Sequence, residues 1–146
     1  MRPRLRVYLI DTNVISEARK KDKADSGVIR FFRQTQLREE PVYLSAITIG
    51  ELRRGVELIR HRGDERQADL LERWLMDVVS DYRDHILGLD AEAAQVWGRL
   101  RVPHPENELD KQIAAIALIH DLTVVTRNAA HFKATGARVL NPFSAA

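Results

Sequence analysis

Five short apolar runs recur along the chain and constrain its fold more than any other feature. Val7, Tyr8, Leu9 and Ile10 form the first. Val42, Tyr43 and Leu44, then Ile86 and Leu87, then Leu122, Thr123, Val124 and Val125, then Arg138, Val139 and Leu140 follow. Runs this short, without polar alternation, suit strands covered on both faces. Between them lie stretches of helical period. Over residues 64–82, Leu70, Leu71, Trp74, Leu75, Val78, Val79 and Tyr82 fall on one stripe with charges opposite. Residues 91–101 and 108–121 have the same period, and Pro103 and Pro105 bar the second of these from extending upstream. Short buried strands alternating with helices predict an α/β fold with a parallel sheet, the five runs giving about five strands.

No Gly/Ser linker, internal repeat or low-complexity tract interrupts the 146 residues, so residues 1–146 read as one domain. The longest apolar runs, such as residues 113–119, fall far short of the roughly 20 residues a membrane span needs. Cysteine is absent, which excludes disulfides, zinc fingers and thiol nucleophiles and leaves oxygen or imidazole as the only metal ligands. Arg2, Arg4 and Arg6 imitate the start of a signal peptide, but the apolar run behind them is closed at once by Asp11. An export signal needs about 7–15 apolar residues there, so a cytoplasmic location is expected. The formal net charge of +2 is too small to imply a nucleic-acid partner by itself. The basic set is 18 Arg and 5 Lys. That bias favours bidentate phosphate contacts and is equally what a GC-rich genome produces.

Open parallel sheets bind ligands beyond the carboxyl ends of their strands. The first run ends in Asp11, Thr12 and Asn13, and the second ends at Ser45, ahead of a helix carrying Glu51. Asp110 opens the helix before the fourth run, which itself ends in Thr126, Arg127 and Asn128. Each acid also has a local explanation. Asp11 can cap the helix that starts near Thr12. Glu51 stands at capping-box spacing from Thr48. Asp110 can be the third residue of a helix capped by Asn107, facing the positive end of its dipole. Taken together these explanations weaken, because Glu51 and Asp110 follow strand-to-helix turns whose edges should converge. Two carboxylates about 5 Å apart repel by roughly 3 kcal/mol at an effective dielectric near 20, so a cluster of three must take up protons or a cation. An all-oxygen site suits Mg²⁺ or Mn²⁺, ions usually completed by substrate phosphates, which makes phosphodiester hydrolysis by metal-activated water the natural reaction.

Four stretches together resemble the motifs of PIN domains, in order and across residues 9–132. They are residues 9–17 around Asp11, residues 44–55 around Glu51, residues 109–115 around Asp110 and residues 124–128 ending in Asn128. The second stretch is particularly similar to the VapC and FitB toxin branch. The resemblance implies a three-layer α/β/α fold and a metal-dependent endoribonuclease that is the toxin of a type II toxin–antitoxin pair, inhibited by a cognate antitoxin. Carried over residue by residue, Asp11, Glu51 and Asp110 would hold Mg²⁺, with Mn²⁺ able to substitute. Thr12 and Asn13 would orient Asp11 or bound water, and Thr126 would support the cluster. Asn128 stands where many members place a fourth acid, which bears on any second metal. The resemblance also implies a homodimer, an RNA substrate and operator DNA reached only through the antitoxin, with no membrane contact.

Other residues admit two roles. Arg53, Arg54, Arg60, His61 and Arg62 follow Glu51 and could draw an RNA backbone inward, or form a solvated face. Arg127 abuts the acids. His131 could protonate a leaving group or simply sit at the surface. Trp74 and Trp97 lie on apolar stripes and suit core or subunit contacts. Asn128 in place of an acid also leaves open a catalytically weak PIN-fold regulator acting within a DNA-bound toxin–antitoxin complex.

Overall fold

In the computed structural model, which describes residues 6–144, each of the five runs contributes a strand. They are β1 (Tyr8–Ile10), β2 (Val42–Ser45), β3 (Ile86–Leu87), β4 (Thr123–Val125) and β5 (Arg138–Leu140). The helices are α1 (Thr12–Ala18), α2 (Ser26–Leu37), α3 (Ala46–His61), α4 (Glu65–Asp81), α5 (Ala91–Leu100), α6 (Glu108–His120) and α7 (Ala129–Phe132). The sheet is wholly parallel in the order β3-β2-β1-β4-β5. Arg2 and Arg4 of the basic N-terminal cluster lie outside the described residues.

Strand order and core agree. The chain steps outward from β1 through β2 to β3, then crosses to β4 and β5 on the other side. Right-handed crossovers place helices of the first direction on one face and those of the second on the other. Accordingly Tyr8 and Ile10 pack with Val14, Val28, Leu52, Val56, Leu75 and Val78 from α1–α4. Leu9, one residue out of phase, packs with Ile113, Ala114, Ala117 and Phe132 on the opposite face. β1 is buried throughout, paired with β2 through Leu9–Tyr43 and with β4 through Leu9–Val124. β5, at the edge, leaves Arg138 and Leu140 exposed, departing from the fully covered run expected there.

Several local expectations change in the folded chain. α3 starts at Ala46, with Ser45 Oγ accepting from Thr48 N–H at 3.0 Å. The cap is therefore Ser45, Thr48 is the third helical residue, and Glu51 lies too deep in α3 to close a capping box. Asn107 does precede α6, but in a left-handed conformation and with no side-chain cap bond. α6 follows the 101–107 loop after α5 rather than a strand-to-helix turn. Its first turn still reaches the carboxyl edge of the sheet, because a crossover helix runs antiparallel to the strand that follows it. The stripe on α4 is narrower than its period implied: Leu75 and Val78 are buried, whereas Leu70 is 52% exposed. Most of that apolar face is used within the chain, against α3 and the core.

Candidate active site

Strand order reverses at β1, so the connections leaving β1 and β4 diverge and open a crevice at their carboxyl ends. Asp11 stands at its floor, 3% exposed, with its backbone N–H bonded to Val125 O at 2.9 Å. Its carboxylate is held from three directions. Oδ1 accepts from the Thr12 N–H at 2.8 Å, capping α1. Oδ2 accepts from Thr126 Oγ1 at 2.7 Å and from Asn13 Nδ2 at 3.3 Å. Burial pushes this carboxyl above its ordinary range, the bonds from Thr126, Thr12 and Asn13 pull it back, and the negative charge of Asp110 raises it further.

Glu51 projects from the second turn of α3 toward α1, where the Thr12 hydroxyl donates to Oε1 at 2.8 Å. Thr12 Oγ1 also lies 3.2 Å from buried Thr48 Oγ1, to which the Ser45 hydroxyl donates at 3.3 Å. A row of hydroxyls thus leads from the end of β2 to the carboxylate and fixes its approach. Partial burial raises the Glu51 carboxyl, the Thr12 bond opposes this, and the charges of Asp11 and Asp110 add to the rise. Asp110, from the first turn of α6, has Oδ2 2.7 Å from His131 Nδ1 on α7.

Three segments distant in sequence therefore bring carboxylates within electrostatic reach, the charge of Asp110 raising Asp11 and Glu51 and that of Asp11 raising Glu51. A bound cation would relieve that crowding, and the side chains that could hold it all offer oxygen. Among the described residues no group of three or more His, Asp or Glu is gathered closely enough to hold a metal ion by itself. The arrangement is open, which fits Mg²⁺: that ion keeps several waters and takes one or two protein carboxylates, with phosphate completing its shell.

The supporting residues lie in different places. Asn13 bridges two loops, its amide touching Asp11 and Thr126 while its Oδ1 accepts from Arg127 N–H at 3.0 Å. Asn128 engages through its backbone, donating N–H to Thr126 Oγ1 at 3.0 Å. The Arg127 guanidinium is exposed and stacks 4.5 Å from the Phe143 ring. Arg53 points elsewhere: Glu57 and Glu72 hold it against α4, and Arg60 is held by Glu65, Asp69 and Glu72. Acids on the facing helix neutralise both, which removes them from the crevice. Trp74 lines a cleft of about 210 Å³ beside Glu51, together with Thr12, Leu52, Ile59 and Leu71. Trp97 donates its indole N–H to Glu108 O. Two features escaped sequence reasoning: the Ser45–Thr48–Thr12 row, hinted at only by a serine at a strand end, and the meeting of His131 with Asp110.

A model of the PIN domain matches residues 8–137. Among similar proteins is the toxin FitB of Neisseria gonorrhoeae, 35% identical over 142 residues, covering 94% of this chain and 99% of that one. Another is a VapC ribonuclease of Sinorhizobium fredii, 30% identical over 145 residues, covering 96% and 100%. Among solved structures, that of FitAB bound to a DNA fragment superposes with a TM-score of 0.79 at 30% identity, covering 96% and 98%.

Proposed function

Since the chain belongs to the PIN domain family, in its VapC/FitB-like branch, we propose that it is the toxin of a toxin–antitoxin pair, a Mg²⁺-dependent endoribonuclease. One observation carries this proposal. At the carboxyl edge where the strand order reverses, the charge of Asp110 raises the carboxyls of both Asp11 and Glu51, and that of Asp11 raises Glu51 as well. Residues 1–146 act together as one PIN domain, with Asp11, Glu51 and Asp110 holding the ion. Mn²⁺ would serve in place of Mg²⁺. When bound, such an ion supplies Lewis-acid activation of water and of the scissile phosphate.

The chain's own groups do the rest. Thr126 and Asn13 keep the Asp11 carboxylate seated and ionised, and Thr12 holds Glu51 at its approach. Arg127, on the rim, meets the phosphate backbone beside the cleaved bond, while Asn128 shapes the turn behind it. RNA is the substrate, by analogy with the relative that is named a ribonuclease. A cognate antitoxin would inhibit by placing an arginine against the three carboxylates, where a bidentate ion pair competes with the metal. The cleft beside Glu51 is a suitable seat for the adjoining antitoxin segment. Operator DNA is engaged through the antitoxin only, in line with the DNA-bound FitAB complex. The working unit is a homodimer acting in the cytoplasm. None of the described helices is long and apolar enough to cross a membrane.

The test is RNA cleavage by the purified, antitoxin-free chain with Mg²⁺ or Mn²⁺ and with EDTA, beside an Asp110→Asn protein prepared identically. We expect metal-dependent cutting that falls about a hundredfold or more in the variant. Equal cutting by both proteins, or a wild-type chain that binds no divalent ion, overturns the proposal.

A further inference from the structure

Each carboxylate of the crevice has at least one side-chain donor that orients it. Thr126 serves Asp11 and Thr12 serves Glu51, both through hydroxyls. Asp110 is served by a histidine, His131, whose Nδ1 lies 2.7 Å from Oδ2. An ionised carboxylate only accepts, so Nδ1 carries the proton of that bond. His131 is itself well placed. The next residue, Phe132, is fully buried among Ile113, Ala114, Ile116 and Ala117, which pins the short α7 onto α6. The His131 backbone N–H is bonded to Asn128 O at 3.0 Å, so the same turn ties back to the Thr126 loop. The imidazole thus stands on a fixed support although its ring is 44% exposed.

Resting on the nuclease proposal above, we infer that His131 is a positioning residue for metal binding. Its Nδ1–H engages Oδ2 of Asp110 and leaves Oδ1 to the cation. A ligand oriented by an outer partner loses less freedom on binding, and removing such partners costs about 10- to 100-fold in metal affinity. With a half-exposed ring, the lower end of that range applies here.

The experiment is Mn²⁺ titration, followed by calorimetry and by the electron paramagnetic resonance signal of the free ion, on wild type and on Asp110→Asn, His131→Ala, His131→Asn and His131→Gln. The Asn amide nitrogen overlays Nδ1, whereas the Gln amide nitrogen overlays Nε2. We expect His131→Ala and His131→Gln to weaken Mn²⁺ about tenfold, and His131→Asn to stay within about threefold of wild type. Thermal melting in EDTA checks that each variant is folded. His131→Ala binding like wild type, or a loss that Asn fails to restore any better than Gln, overturns the inference. A wild-type chain that binds no Mn²⁺, or Asp110→Asn binding as tightly as wild type, instead overturns the nuclease proposal beneath it.

Discussion

Replacing Thr126 with Val removes one hydroxyl and nothing else of comparable volume. That hydroxyl is fully buried, donates to Asp11 Oδ2 at 2.7 Å and accepts from Asn128 N–H at 3.0 Å. Asn128 is exposed, so water replaces its lost acceptor at little cost. Asp11, 3% exposed, has no such recourse. A hydrogen bond to a charged group is worth about 1.5–3 kcal/mol net, and the near-isosteric Val leaves no cavity. We therefore expect Thr126→Val to lose about 2 kcal/mol, or about 7 °C in Tm for a chain of this length. In an Asp11→Asn background the charge is gone, and the same replacement should cost only about 1 kcal/mol. The assay is urea denaturation at pH 7 in EDTA, which keeps ion binding out of the balance. A cost below about 0.5 kcal/mol, or an equal cost in both backgrounds, would show that the hydroxyl does not hold the carboxylate.

Two further predictions concern the tail packed on α2. In an open helix, Gly27→Ala would gain roughly 1 kcal/mol. Here the added Cβ would lie 2.1 Å from Pro142 O and 2.7 Å from Ser144 N, both backbone, so a net loss of about 1–3 kcal/mol is expected; any gain in urea midpoint contradicts this packing. The second concerns acid. Bonds from the Ser144 hydroxyl and N–H, with those of Val28 and Gly27, lower the Asp25 carboxyl to about 2. A lowered folded-state pKa gives stability that is present above the unfolded value near 3.9 and is lost as pH falls toward 2. Urea midpoints of wild type should accordingly fall more steeply than those of Asp25→Asn between pH 4 and pH 2, and parallel curves would be the contrary result.

Period and composition carried the architecture. Burial on both faces leaves its mark in runs such as Val124 and Val125, and helix ends at residues 64, 91 and 108 follow from local cap and proline chemistry. Asp11 is legible as an acid at a strand end and Glu51 as one on the helix after β2, whereas Asp110 follows a loop and reaches the same edge only through the direction of α6. Their partners were not legible, because partners belong to tertiary packing. Glu51 meets Thr12 only after α1 docks on α3, 39 positions away in the chain, and nothing near Thr48 distinguishes that outcome from a capping box. The fate of Arg53 likewise depends on Glu72, which lies across the α3–α4 hairpin. Leu70 shows the limit of a stripe: period places it beside Leu71, but only the neighbouring helix decides where the covered sector ends.

The distance between Asp11 and its hydroxyl donor has a consequence in time. Thr126 lies 115 positions downstream, directly after β4, one of the two strands flanking β1. A growing polypeptide on the ribosome contains Asp11, Glu51 and Asp110 before it contains Thr126. It then lacks β4 and β5, and α6 lacks its packing on β4 and α7. No N-terminal fragment that stops short of Val125 can assemble the crevice, whichever acids it already holds. Under the function proposed above, a nascent stretch that already holds all three acids therefore cannot yet attack RNA.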